Sequence, residues 1–321
     1  MSGSERIVAV VVTWNRKELL RRNLRAVLAQ TRPVDEILVV DNASTDGTPE
    51  MLAQDFPMVR HVRLAGNAGA AGGMHVGVRE GLARGADWLW LMDDDGVPSP
   101  GCLAEQLRIA QRENYALCGA LLIDITSPDH LAFAPPWRSL PTAVPHLRTA
   151  LGADHFRTPI AGLWNGTLLR CDAARAVGLP KAEMFIWGEE IEYGFRLWTA
   201  GYRVGVAANA DYLHPPDRFP AKWLLNIVFW RLPLIKCRFC DPMSPRAHIH
   251  ARNLGYIDYK YAGAVRMVLR LLAGLALWST TTGPKGAMRF FRYYIDGVSD
   301  RYALEPSRDD TLARLAIVAN S

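Results

Sequence analysis

Trp88-Leu89-Trp90-Leu91-Met92-Asp93-Asp94-Asp95-Gly96 joins five apolar residues to three acids and a glycine. The apolar run reads as a strand buried on both faces, with the acids where it ends. Three adjacent carboxylates repel one another and cost free energy unless a cation or a hydrogen-bond network compensates. The carboxyl ends of strands are also where α/β sheets bind ligands. Asp93 and Asp95 stand two apart and offer hard oxygen donors of the kind that Mg2+ and Mn2+ take. Alone, the triple acid is better read as a solvated acidic turn, and its neighbours reverse that reading.

Toward the amino end, three more strand patterns precede it. Residues 7–13 are a continuous β-branched run, and Ile37 to Val40 is a second run that ends in Asp41. His61 to Leu64 is a third. Between them lie helix patterns: Leu19, Leu20, Leu24, Val27 and Leu28 at helical spacing over 16–30, and a capped start near Pro49. Asn67-Ala68-Gly69-Ala70-Ala71-Gly72-Gly73 leads into a helix predicted from about Met74 to Arg84. Glycines ahead of a helix let backbone N–H groups approach an anion, though such loops are common. The alternation predicts a doubly wound, mostly parallel α/β sheet with acids and polar loops gathered on one edge.

Toward the carboxyl end, a helix is predicted over 101–113 and a strand over 116–123. Residues 127–160 read as a long active-site or acceptor loop. A second acidic cluster, Gly188-Glu189-Glu190-Ile191-Glu192-Tyr193, lies in a segment read as helical over 184–196. There Glu189, Glu192 and Tyr193 share a face with Arg196, and Glu190 points elsewhere. A surface ion-pair helix would show the same pattern. After a strand around 204–208, His214 falls in a turn locked by Pro215 and Pro216. Cys237, Cys240, His248 and His250 lack the spacing of a zinc finger.

Half of the 321 residues are hydrophobic, enough for a sizeable core. Five scattered cysteines are no disulfide framework and fit a reducing cytoplasmic setting, as does a start that runs straight into a strand. Charge divides the chain at about residue 220. Residues 221–321 carry 15 Lys and Arg against 7 Asp and Glu, while the first 220 carry 22 against 25. Basic residues mixed with aromatic and aliphatic ones over 259–294 favour an anionic membrane surface over nucleic acid. A flank packed on the main domain, or a homo-oligomer interface, would look the same. We therefore expect a catalytic domain over 1–220 and a helical, basic appendage over 221–321. The uncharged run after Arg270 is about 14 residues, short of a ~20-residue span.

Taken in order, Val12-Thr13-Trp14-Asn15-Arg16, Asp41-Asn42-x-Ser44-x-Asp46-Gly47, Asn67-x-Gly69-x-x-Gly72-Gly73, Trp90-x-x-Asp93-Asp94-Asp95 and Gly188-Glu189-Glu190 resemble the family 2 glycosyltransferases, which have the GT-A fold. Within them the chain is most similar to bacterial galactofuranosyltransferases of the initiating, cell-wall type, with Leu163-Trp164-Asn165-Gly166 adding to the likeness, and to related rhamnosyltransferases. The resemblance covers about residues 5–260. It implies an inverting, metal-dependent transfer of galactofuranose from UDP-galactofuranose to a polyprenyl-diphosphate-linked glycan ending in rhamnose. The alternative is a dTDP-rhamnose donor.

The resemblance also implies roles. Thr13, Asn15 and Asp41 would sit at the nucleotide base, and Asn67, Gly72, Gly73 and Asp94 would line the donor site. Asp93, Asp95 and His214 would hold Mn2+ or Mg2+ on the donor diphosphate. Glu190, or its neighbour Glu189, would be the base, with Trp164, Asn165, Gly166 and Glu192 on the acceptor side. The implied location is the cytoplasmic face of the cell membrane, held peripherally. A nucleotidyltransferase would want a glycine-rich, basic loop after the first strand, which Trp14-Asn15-Arg16 does not supply. An inactive scaffold would break the acid set, which is complete.

Overall fold

The computed structural model describes residues 5–133, 141–161, 164–216 and 239–318. The chain divides into two compact units. One comprises Met1–Ala182, Glu190–Asp217 and Ala313–Ser321, the other Glu183–Glu189 and Arg218–Leu312.

The first unit is built on one mixed sheet. Its strands are β1 (Ile7–Thr13), β2 (Glu36–Asp41), β3 (Arg60–Leu64), β4 (Trp88–Asp93), β5 (Val97–Pro98), β6 (Tyr115–Asp124), β7 (His155–Arg157), β8 (Asn165–Arg170), β9 (Arg203–His214) and β10 (Ile317–Val318). They lie in the order β10-β3-β2-β1-β4-β8-β6-β9-β5, with β7 on β9. All seven residues of β1 are buried, as a strand covered on both faces requires. Val8, Val10 and Val12 enter one core with Met74, Val76 and Val78 of α3 (Gly69–Ala83) and with Tyr193 and Leu197 of α7 (Glu189–Thr199). Ile7, Ala9 and Val11 enter the other, with Leu20, Leu24 and Val27 of α1 (Lys17–Leu28) and with Leu103 and Ile109 of α4 (Cys102–Glu113). That period-two partition is what places helices on both faces.

Strands β3, β2, β1 and β4 are parallel, and β8 enters antiparallel between β4 and β6. Strand β9 runs parallel to β6, pairing Asp124 with His214. The carboxyl ends of β1, β2, β4 and β9 therefore share an edge with the amino end of β8. This is the mostly parallel α/β sheet that the sequence predicted, with β8 running against its neighbours.

Several local expectations are corrected. Helix α3 starts at Gly69, five residues before Met74. The stretch 127–160 is not one loop: it holds α5 (Val144–Leu151) and β7. A short helix α6 (Cys171–Val177) follows β8 directly. Residues 184–188 are not α-helical; a 3-10 turn, Ala182–Met184, leads into them, ending at Met184, and Phe185, Trp187 and Gly188 all have positive φ. His214 is not in a turn but ends the twelve-residue β9.

The second unit is helical: α8 (Ala247–Ile257), a π turn (Asp258–Ala262) and α9 (Ala264–Val298). Two glycines bring α8 and α9 together. A Cβ on Gly297 would lie 1.8 Å from the Arg252 carbonyl oxygen, and one on Gly255 would lie 2.1 Å from that of Tyr294. Phe239, Leu254, Leu277, Trp278, Phe290 and Tyr294 form the core. Asp258 is buried with its partners supplied, a salt bridge from Arg270 and a 2.9 Å hydrogen bond donated by the Tyr294 hydroxyl. Helix α9 is long and apolar enough to cross a membrane by length and composition, but it breaks at Gly283 (φ 75°), ahead of Pro284. Val265, Val268, Leu272, Met288, Phe291 and Ile295 are exposed along it. The apolar run 223–234 and Cys237 lie outside the described residues. Cys240 is a buried free thiol.

Candidate active site

The three acids at the end of β4 have three different environments. Asp93 donates its N–H to the Trp164 carbonyl at 2.8 Å. Desolvation and the charges of Asp95 and Asp94 push its carboxyl well above the usual range; Arg16 pulls the other way, and Glu190 adds to the upward push. Asp94 is buried; its Oδ2 accepts from Thr13 Oγ1 at 2.7 Å and its Oδ1 from Arg16 at 3.2 Å. Burial outweighs those partners and raises Asp94 to about 6. Asp95 faces Arg16 at 2.9 Å and His214 Nε2 at 3.1 Å. Burial pushes Asp95 up, but His214 and Arg16 bring it below the ordinary value. One guanidinium thus serves two adjacent carboxylates, as a fork of donors can.

Asn23 and Tyr212 hold this turn from below. Asn23 lies on the buried stripe of α1 and donates to the Gly96 carbonyl at 2.9 Å. The Tyr212 ring, fully buried in β9, packs where side chains on Gly96 and Gly166 would be: Cβ atoms there would lie 2.0 and 2.4 Å from it. Gly166 also has φ +66°, so glycine is required twice over.

At the ends of β1 and β2, Thr13 and Asp41 are register partners. Asp41 is fully buried; burial pushes its carboxyl up, and hydrogen bonds from His61 and Ser44 bring it below the usual range. Arg63 lies 3.2 Å from the same carboxylate. Asn15, in the left-handed region at φ 52°, donates its N–H to Ser44 at 2.9 Å and accepts from the Thr45 N–H at 2.7 Å. The β1 and β2 loops are thereby locked together. Asn42 secures the next loop, accepting from the Ala68 N–H and donating to the Gly69 carbonyl. Asn67 accepts from the Gly69 N–H, while its carbonyl takes a bond from Arg314. Gly72 and Gly73 are buried in the first turns of α3, and a Cβ on Gly73 would lie 2.4 Å from Val12. The structure thus gives them a packing role.

Trp164 is buried with φ 46°, its ring 5.8 Å from that of Tyr193. Asn165 is buried opposite Met92, at a break in the β4–β8 register. Glu192 is buried and engages Arg196 through both carboxylate oxygens. Arg196 in turn donates to the Leu179 carbonyl at 2.8 Å. Glu192 and Arg196 thus form a buried ion pair. Glu189 is buried and Glu190 partly exposed, both at the amino end of α7, where the helix dipole favours negative charge.

Thr13, Asp93, Asp94, Asp95, Asn165 and His214 thus meet on one sheet edge, and Glu190 is near enough for its charge to act on Asp93. By chemistry the set suits a hard divalent cation: carboxylate oxygens, an imidazole, and an excess of negative charge felt at Asp93. As they stand, Asp95 and His214 bond to each other, and among the described residues no group of three or more His, Cys, Asp or Glu is closed around an ion position. Arg16, Asn23, Ser44 and Tyr212 did not emerge from the sequence. Asn23 carried a signal, a polar residue in register with Leu20, Leu24 and Val27 on an apolar stripe. Arg16 and Ser44 stood inside motifs without marking themselves.

The fold is that of a GT-A-type glycosyltransferase. The chain belongs to glycosyl transferase family 2, whose description "Glycosyl transferase family 2" matches residues 8–159. It is 36% identical to the galactofuranosyltransferase GlfT1 of Mycolicibacterium smegmatis, over 67% of this chain and 72% of that protein. It is 28% identical to the N-acetylglucosaminyl-diphospho-decaprenol L-rhamnosyltransferase of Mycobacterium tuberculosis, over 76% of this chain and 92% of that one. Among solved structures, S. aureus TarS 1–349 in complex with UDP superposes with a TM-score of 0.53 at 12% identity, covering 93% of this chain and 92% of that one. At that identity the likeness concerns the fold alone.

Proposed function

We propose that this glycosyltransferase moves galactofuranose from UDP-galactofuranose to a polyprenyl-diphosphate-linked glycan ending in rhamnose, inverting the anomeric centre. The observation that carries the donor is the 36% identity to GlfT1, against 28% to the rhamnosyltransferase. A dTDP-rhamnose donor is the second reading, favoured by the rhamnosyltransferase match reaching over 92% of that protein. The diphospho-decaprenol in its name supports a lipid-linked acceptor. We read residues 1–220 as the catalytic part and 221–321 as the part that holds the enzyme on the cytoplasmic face of an anionic membrane. Support for the second half of that reading is the exposed Val265, Val268, Leu272 and Phe291 on the helix that also carries Arg266, Lys285, Arg289 and Arg292.

In this mechanism Thr13, Asn15 and Asp41 form the base end of the donor site and Asn67 its side. Asp93, Asp95 and His214 would hold a divalent ion, which supplies charge neutralisation for the nucleoside diphosphate as it leaves. Glu190 takes the proton from the acceptor hydroxyl, a poor nucleophile until then. Its partial exposure leaves it reachable by an acceptor, whereas Glu189 is buried. The hydroxyl attacks opposite the leaving group in one displacement, so no covalent carboxylate intermediate is needed. Trp164, Asn165 and Gly166 sit at the acceptor side.

The test is turnover of a nucleotide-sugar panel with and without Mn2+. Metal-dependent turnover of UDP-galactofuranose alone supports the first reading; dTDP-rhamnose alone supports the second; turnover of neither refutes both. Glu190→Gln is expected to keep donor binding and abolish transfer, and normal turnover in that variant would remove Glu190 from the mechanism.

A further inference from the structure

We propose that Asn23 is a positioning residue for the carboxylates of Asp93 and Asp95. The proposal rests on the reading of those two acids as holders of a divalent ion. All the groups involved belong to the first unit. On α1 itself Asn23 is out of place. It is fully buried and stands in the apolar stripe of Leu20, Leu24 and Val27. Its Oδ1 is buried with no hydrogen-bond partner among the described residues. A buried acceptor without a donor costs free energy, so an apolar residue of the same shape would suit the stripe better.

What the amide offers lies at its other end. Nδ2 donates to the Gly96 carbonyl at 2.9 Å, in the interior. The Asp93 carbonyl, Met92 Sδ and the Tyr212 hydroxyl stand around the same nitrogen at 3.5 Å, each too long for a strong bond. The backbone of the acid turn then has three fixed points. Asp93 donates its N–H to the Trp164 carbonyl at 2.8 Å where the turn begins. Arg22 reaches the Asp95 carbonyl at 3.2 Å, exposed to water. Asn23 holds the Gly96 carbonyl where the turn ends, and the Tyr212 ring packs against the same glycine. Gly96 is thus held by a ring contact and a buried hydrogen bond together. Asn23 bonds to neither carboxylate; it sets the backbone from which both project. Repulsion among three adjacent acids favours a splayed turn, and a buried bond to the backbone opposes it. Hydrogen bonds behind metal ligands typically contribute about 10–100-fold in metal affinity.

The test uses the full chain with UDP or dTDP, whichever the parent binds. Calorimetry gives the nucleotide Kd with and without Mn2+ and the number of binding sites, and a thermal melt without ligand gives stability. The quantity compared is the factor by which Mn2+ tightens nucleotide binding. In Asn23→Leu that factor is expected to fall at least threefold, with the metal-free Kd within twofold of the parent. Asn23→Ser, which keeps a donor and leaves room for a water, should recover part of the factor. A merely structural role would lower the melting temperature and the number of sites and leave the factor per site unchanged. That result overturns the proposal, as does any fall smaller than threefold in Asn23→Leu. If Asn23→Leu does not fold, Asn23→Ser alone decides: its factor falls at least twofold or the proposal fails. A parent whose nucleotide affinity Mn2+ improves less than threefold would instead refute the metal reading of Asp93 and Asp95, and this proposal with it.

Discussion

Replacing Arg196 by Met should destabilise the first unit and leave the acceptor KM nearly unchanged. The Glu192 side chain is 1% exposed and that of Arg196 23%. Both carboxylate oxygens take bonds from the guanidinium, which also satisfies the Leu179 carbonyl. Removing one partner of a buried pair costs about 3–5 kcal/mol, because a charge is left in low dielectric. Arg196 is partly open to water, which can enter behind the shorter side chain, so the lower end, about 3 kcal/mol, applies here. At about 2–4 °C per kcal/mol for a unit of this size, the melting temperature should fall by roughly 6–12 °C. Glu192→Met alone removes the other partner. The Arg196→Met, Glu192→Met double variant replaces the pair with apolar side chains and should regain most of the loss. Differential scanning calorimetry on the four proteins completes the cycle. A loss under about 1 kcal/mol for Arg196→Met, or a double variant less stable than either single, would show that the pair is not the buried unit described. A rise in acceptor KM confined to the Glu192 variants would support an acceptor-side role for Glu192 beside its ion pair.

Four further outcomes are expected. Gly77→Ala puts a Cβ 2.3 Å from Val10, both on rigid elements, and should cost about 1–3 kcal/mol in urea unfolding; Gly101→Ala, with nothing within 4 Å, should be near neutral. Burial pushes His250 down from 6.5 to about 4, and burial with Arg289 and Arg252 does the same to His248. Both are neutral when folded and bind a proton more readily when unfolded, so their stabilisation is complete above pH 6.5 and is lost as pH falls toward 4. With partial solvent access each accounts for about 1–2 kcal/mol, and His250→Gln should flatten the acid limb of the second unit's stability curve. Chelation of divalent ions should stop transfer, and Mn2+ or Mg2+ should restore it in a sugar-release assay. Val268→Glu with Leu272→Glu should weaken flotation with anionic liposomes while leaving turnover of a soluble acceptor unchanged.

Much of this protein is legible along the chain. Strands β1, β2 and β4 are apolar runs whose burial on both faces leaves no other reading, and the acids follow directly from where those runs stop. The helices that carry a one-sided stripe, α1 and α4, are legible for the same reason. What could not be read is contact between distant segments. Strand β8 runs against its neighbours, which depends on tertiary pairing and not on its own pattern. The long β9 is interrupted by register shifts near Gly119 and Leu121 of its partner, so its periodicity breaks where the sequence reading stopped. The segment before α7 reads as helical with the rest of 184–196; the bonds from Asn253, some seventy residues later, to the Met184, Ile186 and Trp187 carbonyls hold it in another conformation. In the site, the acids were visible as residue types, but the burial that raises Asp93 and Asp94, and the pairing with His214 and Arg16 that lowers Asp95, were not.

Strand β10 carries a consequence for how the protein is made. It pairs antiparallel with β3, joining Ile317 to Leu64, and Ala65 donates to the Ala316 carbonyl beside it. Arg314 reaches the Asn67 carbonyl at the same place. During vectorial synthesis the second unit's helices emerge before these residues do, so β3 waits as an open edge while more than two hundred residues are translated. Open edges are templates for pairing with other chains. The interval between emergence of Leu64 and of Ile317 is therefore the window in which a nascent chain is exposed to aggregation, and slow translation through the second unit lengthens it.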